Sequence, residues 1–186
     1  MDIKISFDKT AFQCKPTNRQ TAFMKKRLPK EEDYYDIKTI AERIGNHGHS
    51  FLPATFEGLA CNQENFEHCQ LFGIVFDDDP DYEKIKKKLM EYHLPIVFSY
   101  HTFSSTPEHP KYRIILCHIV PITEKWLADM ILKMLKKMFP EADKHCFETA
   151  RLFYGGKGLI EFHEVIEETG ENTFNVYNLI QEFEKF

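Results

Sequence analysis

The sequence predicts an α/β (α+β) domain with an RRM-like, or ferredoxin-like, β-α-β-β-α-β sheet and an N-terminal accessory α/β part. Two observations predict this class. Short apolar runs that suit buried strands alternate with longer segments whose apolar residues recur at helical spacing. Segments rich in Ser, Thr, Pro or Gly separate several of these elements, as expected for loops and turns.

The first three core elements fall within residues 70–101. Residues 70–76 form a short apolar run, which predicts a buried strand. The β-branched and aromatic residues of segment 94–101 predict a second strand. Between them, residues 79–93 predict a helix, because their apolar side chains share one stripe while three lysines mostly face away.

The second half of the core is also predicted to contain two strand segments with a helix between them. Residues 102–110 predict a loop, and residues 111–120 predict a third strand. Residues 123–139 predict a helix with one apolar face and Thr123 as its N-cap. Residues 150–163 predict either one strand interrupted by glycines or two strands joined by a turn.

We interpret residues 1–186 as a single domain with three parts. Residues 1–70 form the accessory part, in which 31–44 predict a helix, followed by a loop and a short extended piece. Residues 71–162 form the RRM-like core, and residues 163–186 form a tail that ends in a helix. Two arrangements fit this organisation: a stand-alone core, or a fragment of a longer protein.

Composition narrows the class of protein. No apolar run approaches the length of a membrane span, and the N-terminus lacks the apolar core of a signal peptide. Five cysteines without framework spacing favour a reducing cytoplasm. The net charge is −5, yet residues 1–30 carry eight Lys or Arg against two Asp. This basic arm is either a solvated surface or a local contact for phosphates.

Three consecutive aspartates, Asp77 to Asp79, end the first core strand. Because strand side chains alternate between faces, Asp77 and Asp79 are expected to point the same way. Two such carboxylates suit a hard cation such as Mg²⁺, which keeps other positions for water or phosphate oxygens. The alternative is structural: Asp79 precedes Pro80, which is a favourable N-cap and first helical position.

Ser99 and His101 lie at the end of the second core strand. In a β-α-β unit with a right-handed crossover the first two strands run parallel, so their carboxyl ends meet at one sheet edge. We therefore expect Ser99 and His101 to converge with Asp77 and Asp79.

The motifs "FDDDP", "SYH", "RIIL" and "ARLFYGG" together resemble the catalytic core of the archaeo-eukaryotic primase (primase-polymerase) superfamily, in its phage, plasmid and mobile-element branch. The resemblance covers about residues 50 to 160. It implies a DNA primase/polymerase-type nucleotidyltransferase that uses two Mg²⁺ or Mn²⁺ ions, a single-stranded DNA template and NTP or dNTP substrates. A helicase or a primer-stabilising helical module, in the same or a longer chain, is the implied partner.

The same resemblance assigns the site residues. It implies that Asp77 and Asp79 bind metal and that His101, with Ser99 beside it, contacts the phosphates of the incoming nucleotide. Asp143 is the implied third acid. The remaining candidates are Glu148 and Glu161 as competitors of Asp143, Lys111 and Arg113 for triphosphate, and Arg151 and Lys157 for nucleic acid.

A zinc site and a rolling-circle nuclease match the sequence less well than a primase does. Zinc is not expected, because Cys61, His68, Cys69, His145 and Cys146 include no C-x₂-C pair. His47 and His49 resemble the paired histidines of rolling-circle Rep nucleases, with Tyr34 or Tyr35 as nucleophile, but Gly stands between the histidines.

Two other functions use the same type of sheet. Nucleotide cyclases use paired aspartates, but no second signature of that class is present. A non-catalytic RRM-type binding domain would need exposed sheet aromatics, for which the candidates are Phe76, Phe98, Tyr100 and Tyr112.

Overall fold

The computed structural model describes residues 1–58, 63–78 and 80–185. In this part of the chain the strands are β1 (Asp2–Ala11), β2 (Glu32–Asp36), β3 (His49–Leu52), β4 (Ala54–Phe56), β5 (Phe66–Phe76), β6 (Phe98–Thr102), β7 (Tyr112–Ile122) and β8 (Gly156–Phe162). The helices are α1 (Asn18–Arg27), α2 (Ile37–Gly45), α3 (Tyr82–Glu91), α4 (Lys125–Met138) and α5 (Val176–Glu184).

The larger sheet has the strand order β4-β5-β7-β6-β8, and each strand is antiparallel to its neighbours. Along the chain, β5-α3-β6-β7-α4-β8 is the predicted β-α-β-β-α-β order, so the fold class is confirmed. Since β5 and β6 are both antiparallel to the β7 strand between them, they run parallel to each other, as expected. The last strand, β8, lies beside β6, and β4 takes the edge beside β5.

Strand β5 is buried on both faces of the sheet. Phe72, Ile74 and Phe76 belong to the core formed with α3 and α4. Leu71 and Val75 belong to a second core that includes residues of β1, β3 and α2. This two-sided burial explains why the strand is an almost continuous apolar run rather than an alternating one.

The smaller sheet has the order β2-β1-β3. In β1, Ile3, Ile5 and Phe7 are buried at a spacing of two and pack into the second core. The predicted helix over 31–44 begins only at Ile37, because Glu32–Asp36 pairs with β1 as the strand β2. This sheet and α2 together cover the face of the larger sheet that α3 and α4 leave free.

Helix α2 begins with a side-chain cap. Asp36 accepts hydrogen bonds from the Thr39 amide at 2.9 Å and from the Thr39 hydroxyl at 2.5 Å. These bonds lower the pKa of Asp36. This cap explains why α2 starts at Ile37. The polar residues before it carry no pattern that would favour a helix over a strand.

Helices α3 and α4 begin three and two residues after the starts of the ranges predicted from the sequence, 79–93 and 123–139. The N-cap of α3 is Asp81, whose carboxylate accepts from the amides of Glu83 and Lys84 at 3.0 and 3.3 Å. Asp79, for which capping was the structural alternative to metal binding, lies outside the described residues. The N-cap of α4 is Glu124, without a side-chain bond, and not Thr123.

His118, in the second half of β7, joins the tail to the core. Its Nδ1–H donates to the Val120 carbonyl at 2.7 Å, and its Nε2 accepts from the Val176 amide at 3.2 Å. Phe174 is buried against the His118 ring, with 5.2 Å between ring centroids. The neutral imidazole thus fixes the start of α5, the helix predicted for the tail.

None of the helices in the described part of the chain is both long and apolar enough to cross a membrane.

His118 should make the stability of the protein sensitive to acid. Burial lowers its pKa from the ordinary value of 6.5, so the unfolded chain binds a proton first as the pH falls. By linkage, this group's contribution to the free energy of unfolding is constant above about pH 6.5 and decreases below it. We expect His118→Gln to be less stable at about pH 7.5 but to lose less stability at about pH 5.5, as measured by urea unfolding.

The control is His47→Gln, because the His47 side chain is exposed and forms no hydrogen bond with the described residues. An acid-dependent loss of stability that is the same in wild type and His118→Gln would contradict the prediction.

Candidate functional site

The ends of β5 and β6 meet at one edge of the larger sheet. Val75 on β5 and Tyr100 on β6 are both opposite Arg113 on β7, so these three side chains share a face. Asp77 follows Val75 by two residues, and alternation directs it to the same face. The strand order therefore brings an acid from β5 and a cation from β7 to one place.

A small cleft of about 80 Å³ lies at this edge, and we call it the cationic cleft. Three cations and one carboxylate line it. Its lining residues are Lys15, Asp77, Thr102, Phe103, Ser104, Lys111, Arg113, Tyr154 and Gly155. The three cations of this site suit an anion, and its single carboxylate suits a cation that binds together with that anion.

Arg113 is held in the wall of the cationic cleft by aromatic residues. Its Nη1 donates to the Tyr100 hydroxyl at 3.3 Å and to the Tyr154 carbonyl oxygen. The guanidinium also lies 5.8 Å from the Tyr100 ring centroid and 5.7 Å from that of Phe153. These contacts fix the orientation of the guanidinium without using all of its donors.

Two buried polar atoms at the cationic cleft have no partner among the described residues. They are Arg113 Nε and Thr102 Oγ1. A buried group left unpaired costs about 1–3 kcal/mol, and more when it is charged. Two such atoms on residues that line one cleft are expected where a ligand completes the hydrogen bonds.

A second, larger cleft of about 590 Å³ shares Asp77 with the first, and we call it the acidic cleft. Four of its residues carry carboxylates: Asp77, Asp78, Glu141 and Asp143. The others are Pro80, Pro140, Ala142, Lys144 and His145. Asp77 is thus common to a cation-rich and an acid-rich surface.

Asp143 is held against β5 by its backbone. Its amide donates to the Val75 carbonyl at 2.9 Å, which attaches the segment after α4 to the strand that carries Asp77. The Asp143 carboxylate accepts from the His145 amide at 3.0 Å and lies 3.7 Å from the Arg151 guanidinium. Among the described residues Asp77 has no ion pair.

The donor set of the acidic cleft matches a hard divalent cation. Carboxylate oxygens are the protein ligands that Mg²⁺ and Mn²⁺ prefer, and Mg²⁺ needs only one or two of them beside phosphate oxygens. Asp77 and Asp143 supply such oxygens in one cleft. Within residues 1–58, 63–78 and 80–185, no three acidic, His or Cys side chains form a group that could hold a metal ion.

Ser99 lies on the opposite face of the sheet from Asp77 and is fully buried. It pairs with Ile114, which belongs to the α3/α4 core. Its hydroxyl donates at 2.6 Å to the Tyr82 hydroxyl, which in turn donates to Glu161. The expected convergence of Ser99 with Asp77 therefore does not occur, since the register sets them on different faces.

Glu161 is the centre of this buried network. Burial acts to raise its pKa, but hydrogen bonds from Lys86, Tyr82 and His163 lower it overall. Burial and the neighbouring Glu161 carboxylate raise the pKa of the Tyr82 phenol. The network links α3, β6 and β8, so Glu161 serves packing here and lines neither cleft.

His101 lies on the same face as Ser99 and is half-buried. Its Nδ1 is 3.2 Å from the Ser105 hydroxyl, and that hydroxyl accepts the Lys111 amide at 3.0 Å. Burial, and then the charge of Lys157, lower the pKa of His101. His101 thus stabilises the loop that leads to Lys111 and does not line the cationic cleft.

The other predicted candidates are distributed around this edge. Arg151 approaches Asp143, and Lys157 donates to the Ser105 carbonyl. Glu148 lines a separate small cavity beside Phe153. Neither Arg151 nor Lys157 lines the cationic cleft.

The residues of the rival patterns lie elsewhere. His47 is exposed, and His49 Nδ1 donates to the Asp8 carbonyl at 2.8 Å. Burial raises the pKa of Cys69 and of Cys146 to about 12, which disfavours thiolate ligands. Cys61 lies outside the described residues.

Sequence reasoning missed Lys15, Thr102 and Tyr154. Thr102 could have been predicted, because it follows Tyr100 by two residues on β6 and therefore points to the same face at the end of that strand. Lys15 and Tyr154 had none, because they reach the cleft from segments distant in sequence.

No family model matches the chain, and no curated protein matches it. A search of solved structures matches the archaeo-eukaryotic primase (AEP) domain of the cyanophage S-2L primase-polymerase, PrimPol. The TM-score is 0.50 at 8% sequence identity, over 98% of this chain and 88% of the other. At this identity the match concerns the fold alone, and it agrees with the fold that the sequence resemblance implied.

The Tyr82 network predicts a structural effect for Ser99. Tyr82→Phe removes the donor to Glu161 and leaves the buried Ser99 hydroxyl without its partner, so the free energy of unfolding should fall by about 1–3 kcal/mol. Ser99→Ala should cost less in the Tyr82→Phe background than in wild type, because the shared bond is already absent. Urea unfolding of the single and double variants measures this coupling, and additive effects would refute it.

Proposed function

We propose that this chain is a metal-dependent nucleotidyltransferase that synthesises phosphodiester bonds on a DNA template, as a primase or polymerase in replication. The observation that carries the proposal is the cationic cleft. Asp77 lies there beside three cations and two buried polar atoms, Arg113 Nε and Thr102 Oγ1, that have no partner in the described part of the chain. A polyphosphate is the ligand whose oxygens would satisfy all of them.

The triphosphate of an incoming NTP or dNTP would bind in the cationic cleft. The Arg113 guanidinium, already oriented by Tyr100 and Tyr154, would donate its free Nε–H to a phosphate oxygen. Lys111 and Lys15, which come from distant parts of the sequence, would add positive charge to the same cleft. Thr102 would donate its hydroxyl to the same group.

Asp77, with Asp79 and Asp143, would hold Mg²⁺ or Mn²⁺ between the two clefts. When bound, divalent cations lower the pKa of the attacking 3′-hydroxyl and shield the phosphate charge. The chain's own residues orient the triphosphate for in-line attack on its α-phosphorus, with pyrophosphate as the leaving group. Without cations the Asp77 carboxylate would repel the phosphates that Arg113 attracts.

His101 and Ser99 would act by positioning. His101 holds the 103–111 loop through Ser105, and Lys111 at the end of that loop lines the cationic cleft. Ser99 fixes α3 against the sheet through Tyr82. Arg151 would hold Asp143 in place, and Lys157 would support the same loop as His101.

The template would be single-stranded DNA, and a helicase or a primer-stabilising helical module would act with this domain. The sequence motifs support this assignment, and the similar solved structure is itself called a primase-polymerase. The non-catalytic RRM-type alternative is disfavoured, because Phe76, Phe98, Tyr100 and Tyr112 are all buried and offer no stacking surface.

Asp77→Asn should abolish both the thermal stabilisation by nucleotide and primer synthesis. A triphosphate with Mn²⁺ should raise the melting temperature of wild type by linkage, and EDTA should remove this effect. Asp77→Asn keeps the shape but loses the charge that a cation needs, so neither stabilisation nor primer synthesis should remain. Thermal-shift titration and a synthesis assay on single-stranded DNA, with labelled NTP and dNTP separately, measure these two effects.

The control is Asp78→Asn, which removes the same charge from the adjacent exposed residue. Equal responses from Asp77→Asn and Asp78→Asn would show a general charge effect and would refute a specific role for Asp77.

Thr102→Val tests the unpartnered hydroxyl of the cationic cleft. The substitution is nearly isosteric, and the hydroxyl has no partner among the described residues, so stability should be unchanged or slightly higher. The KM for the nucleotide should rise roughly three- to tenfold, since the lost hydrogen bond is made only to the ligand.

The matched control is Thr149→Val, because Thr149 Oγ1 is also buried without a partner but lines a different cavity. It should leave the KM unchanged. A KM increase in Thr149→Val equal to that in Thr102→Val would contradict ligand binding by Thr102.

A further inference from the structure

Helix α1 presents an exposed basic surface that the proposed chemistry does not use. Residues 9–30 contain seven Lys or Arg and no Asp or Glu, in a chain whose net charge is −5. Arg27 is neutralised by the buried Asp8, at 2.6 Å, and Lys9 pairs with Glu31 at 2.5 Å. The other five, Lys15, Arg19, Lys25, Lys26 and Lys30, form no ion pair with any described residue.

The outer face of α1 places an aromatic ring among these cations. Met24 is buried on the inner face, and Arg19, Phe23 and Lys26 follow each other at spacings of four and three on the opposite side. Phe23 is 54% exposed, and the Arg19 guanidinium lies over its ring at 5.8 Å from the centroid. A flat apolar ring between unpaired cations has the chemistry that binds a nucleobase and its adjoining phosphates.

The same helix is attached to the wall of the cationic cleft. The Thr21 hydroxyl lies 2.9 Å from the Tyr154 hydroxyl, and Tyr154 lines that cleft. Lys15, three residues before α1 begins, lines it as well. A strand that leaves the cleft on this side would therefore pass directly onto α1.

We infer that the outer face of α1, with Phe23 as the stacking residue and Arg19 and Lys26 as phosphate contacts, binds single-stranded nucleic acid that leads into the cleft. This inference rests on the proposed function and assigns its template path. It differs from the positions expected from the sequence, Arg151 and Lys157, whose cationic groups already contact Asp143 and the Ser105 carbonyl.

The experiment measures binding of a fluorescently labelled oligothymidylate to the full chain by anisotropy, in EDTA and without nucleotide. Phe23→Ala should weaken binding about tenfold with little change in the salt dependence, because stacking involves no counterion release. Lys26→Gln should weaken binding and reduce the salt slope by about 0.7. Phe23→Trp should retain wild-type affinity, which separates stacking from misfolding.

The matched control is Tyr177→Ala, which removes an aromatic side chain that is 66% exposed on α5. Unchanged affinity in Phe23→Ala, or an equal loss in Tyr177→Ala, would overturn the inference. Binding that is equally tight to blunt duplex DNA and equally indifferent to Phe23→Ala would also overturn it.

The stabilisation of Phe23→Ala by triphosphate and Mn²⁺ is measured in parallel and should equal that of wild type. If this stabilisation persists while Phe23→Ala binds DNA normally, the α1 surface is refuted and the proposed function stands. If wild type shows no such stabilisation, the proposed function fails whatever α1 binds.

Discussion

The register of β7 between β5 and β6 is the constraint on which the rest of this structure depends. Val75 and Tyr100 are both opposite Arg113, so one pairing decides which side chains of three strands share a face. A slip of one residue would exchange the faces of a whole strand. Such a slip would bury the Arg113 guanidinium in the α3/α4 core, which contains Ile114 and Leu116 from the same strand. Because burying that charge would be costly, the observed register is favoured. The same register places Arg113 on the face where the cationic cleft lies.

Coverage of both sheet faces makes the strand ends the natural position for a site. The α3/α4 core covers one face, and β1, β3 and α2 cover the other, so the sheet aromatics are buried. Polar chemistry is confined to the edge where β5 and β6 end and β7 begins. There Arg113 is partly buried against aromatic rings, which weakens the screening of its charge by water. Asp77 lies between that cation and the acids of the second cleft.

The core elements were predictable from local patterns, and α3, α4 and β5 to β8 all form. The two helices have apolar residues at helical spacing, and β5 to β7 are short runs rich in apolar and aromatic residues. The N-terminal part was not, although Ile3, Ile5 and Phe7 alternate as a strand should. Glu32–Asp36 has no apolar pattern, and its pairing with β1 decides its structure. Asp77, Lys111 and Arg113 follow from strand positions alone. The faces of Ser99 and His101 relative to Asp77 depend on the β7 register, which no local pattern encodes.

At 8% identity the shared fold fixes the path of the backbone but not the chemistry of its side chains. The charges around Asp77 distinguish a catalytic site from a plain binding surface. A nucleic-acid-binding surface gains nothing from an unpaired carboxylate beside its cations, since that acid repels each phosphate it meets. An enzyme that binds a triphosphate with divalent cations needs both signs of charge in contact. Asp77, shared by the cationic and the acidic clefts, would satisfy that requirement with one side chain. Beside it, the buried Arg113 Nε and Thr102 Oγ1 have no hydrogen-bond partner among the described residues.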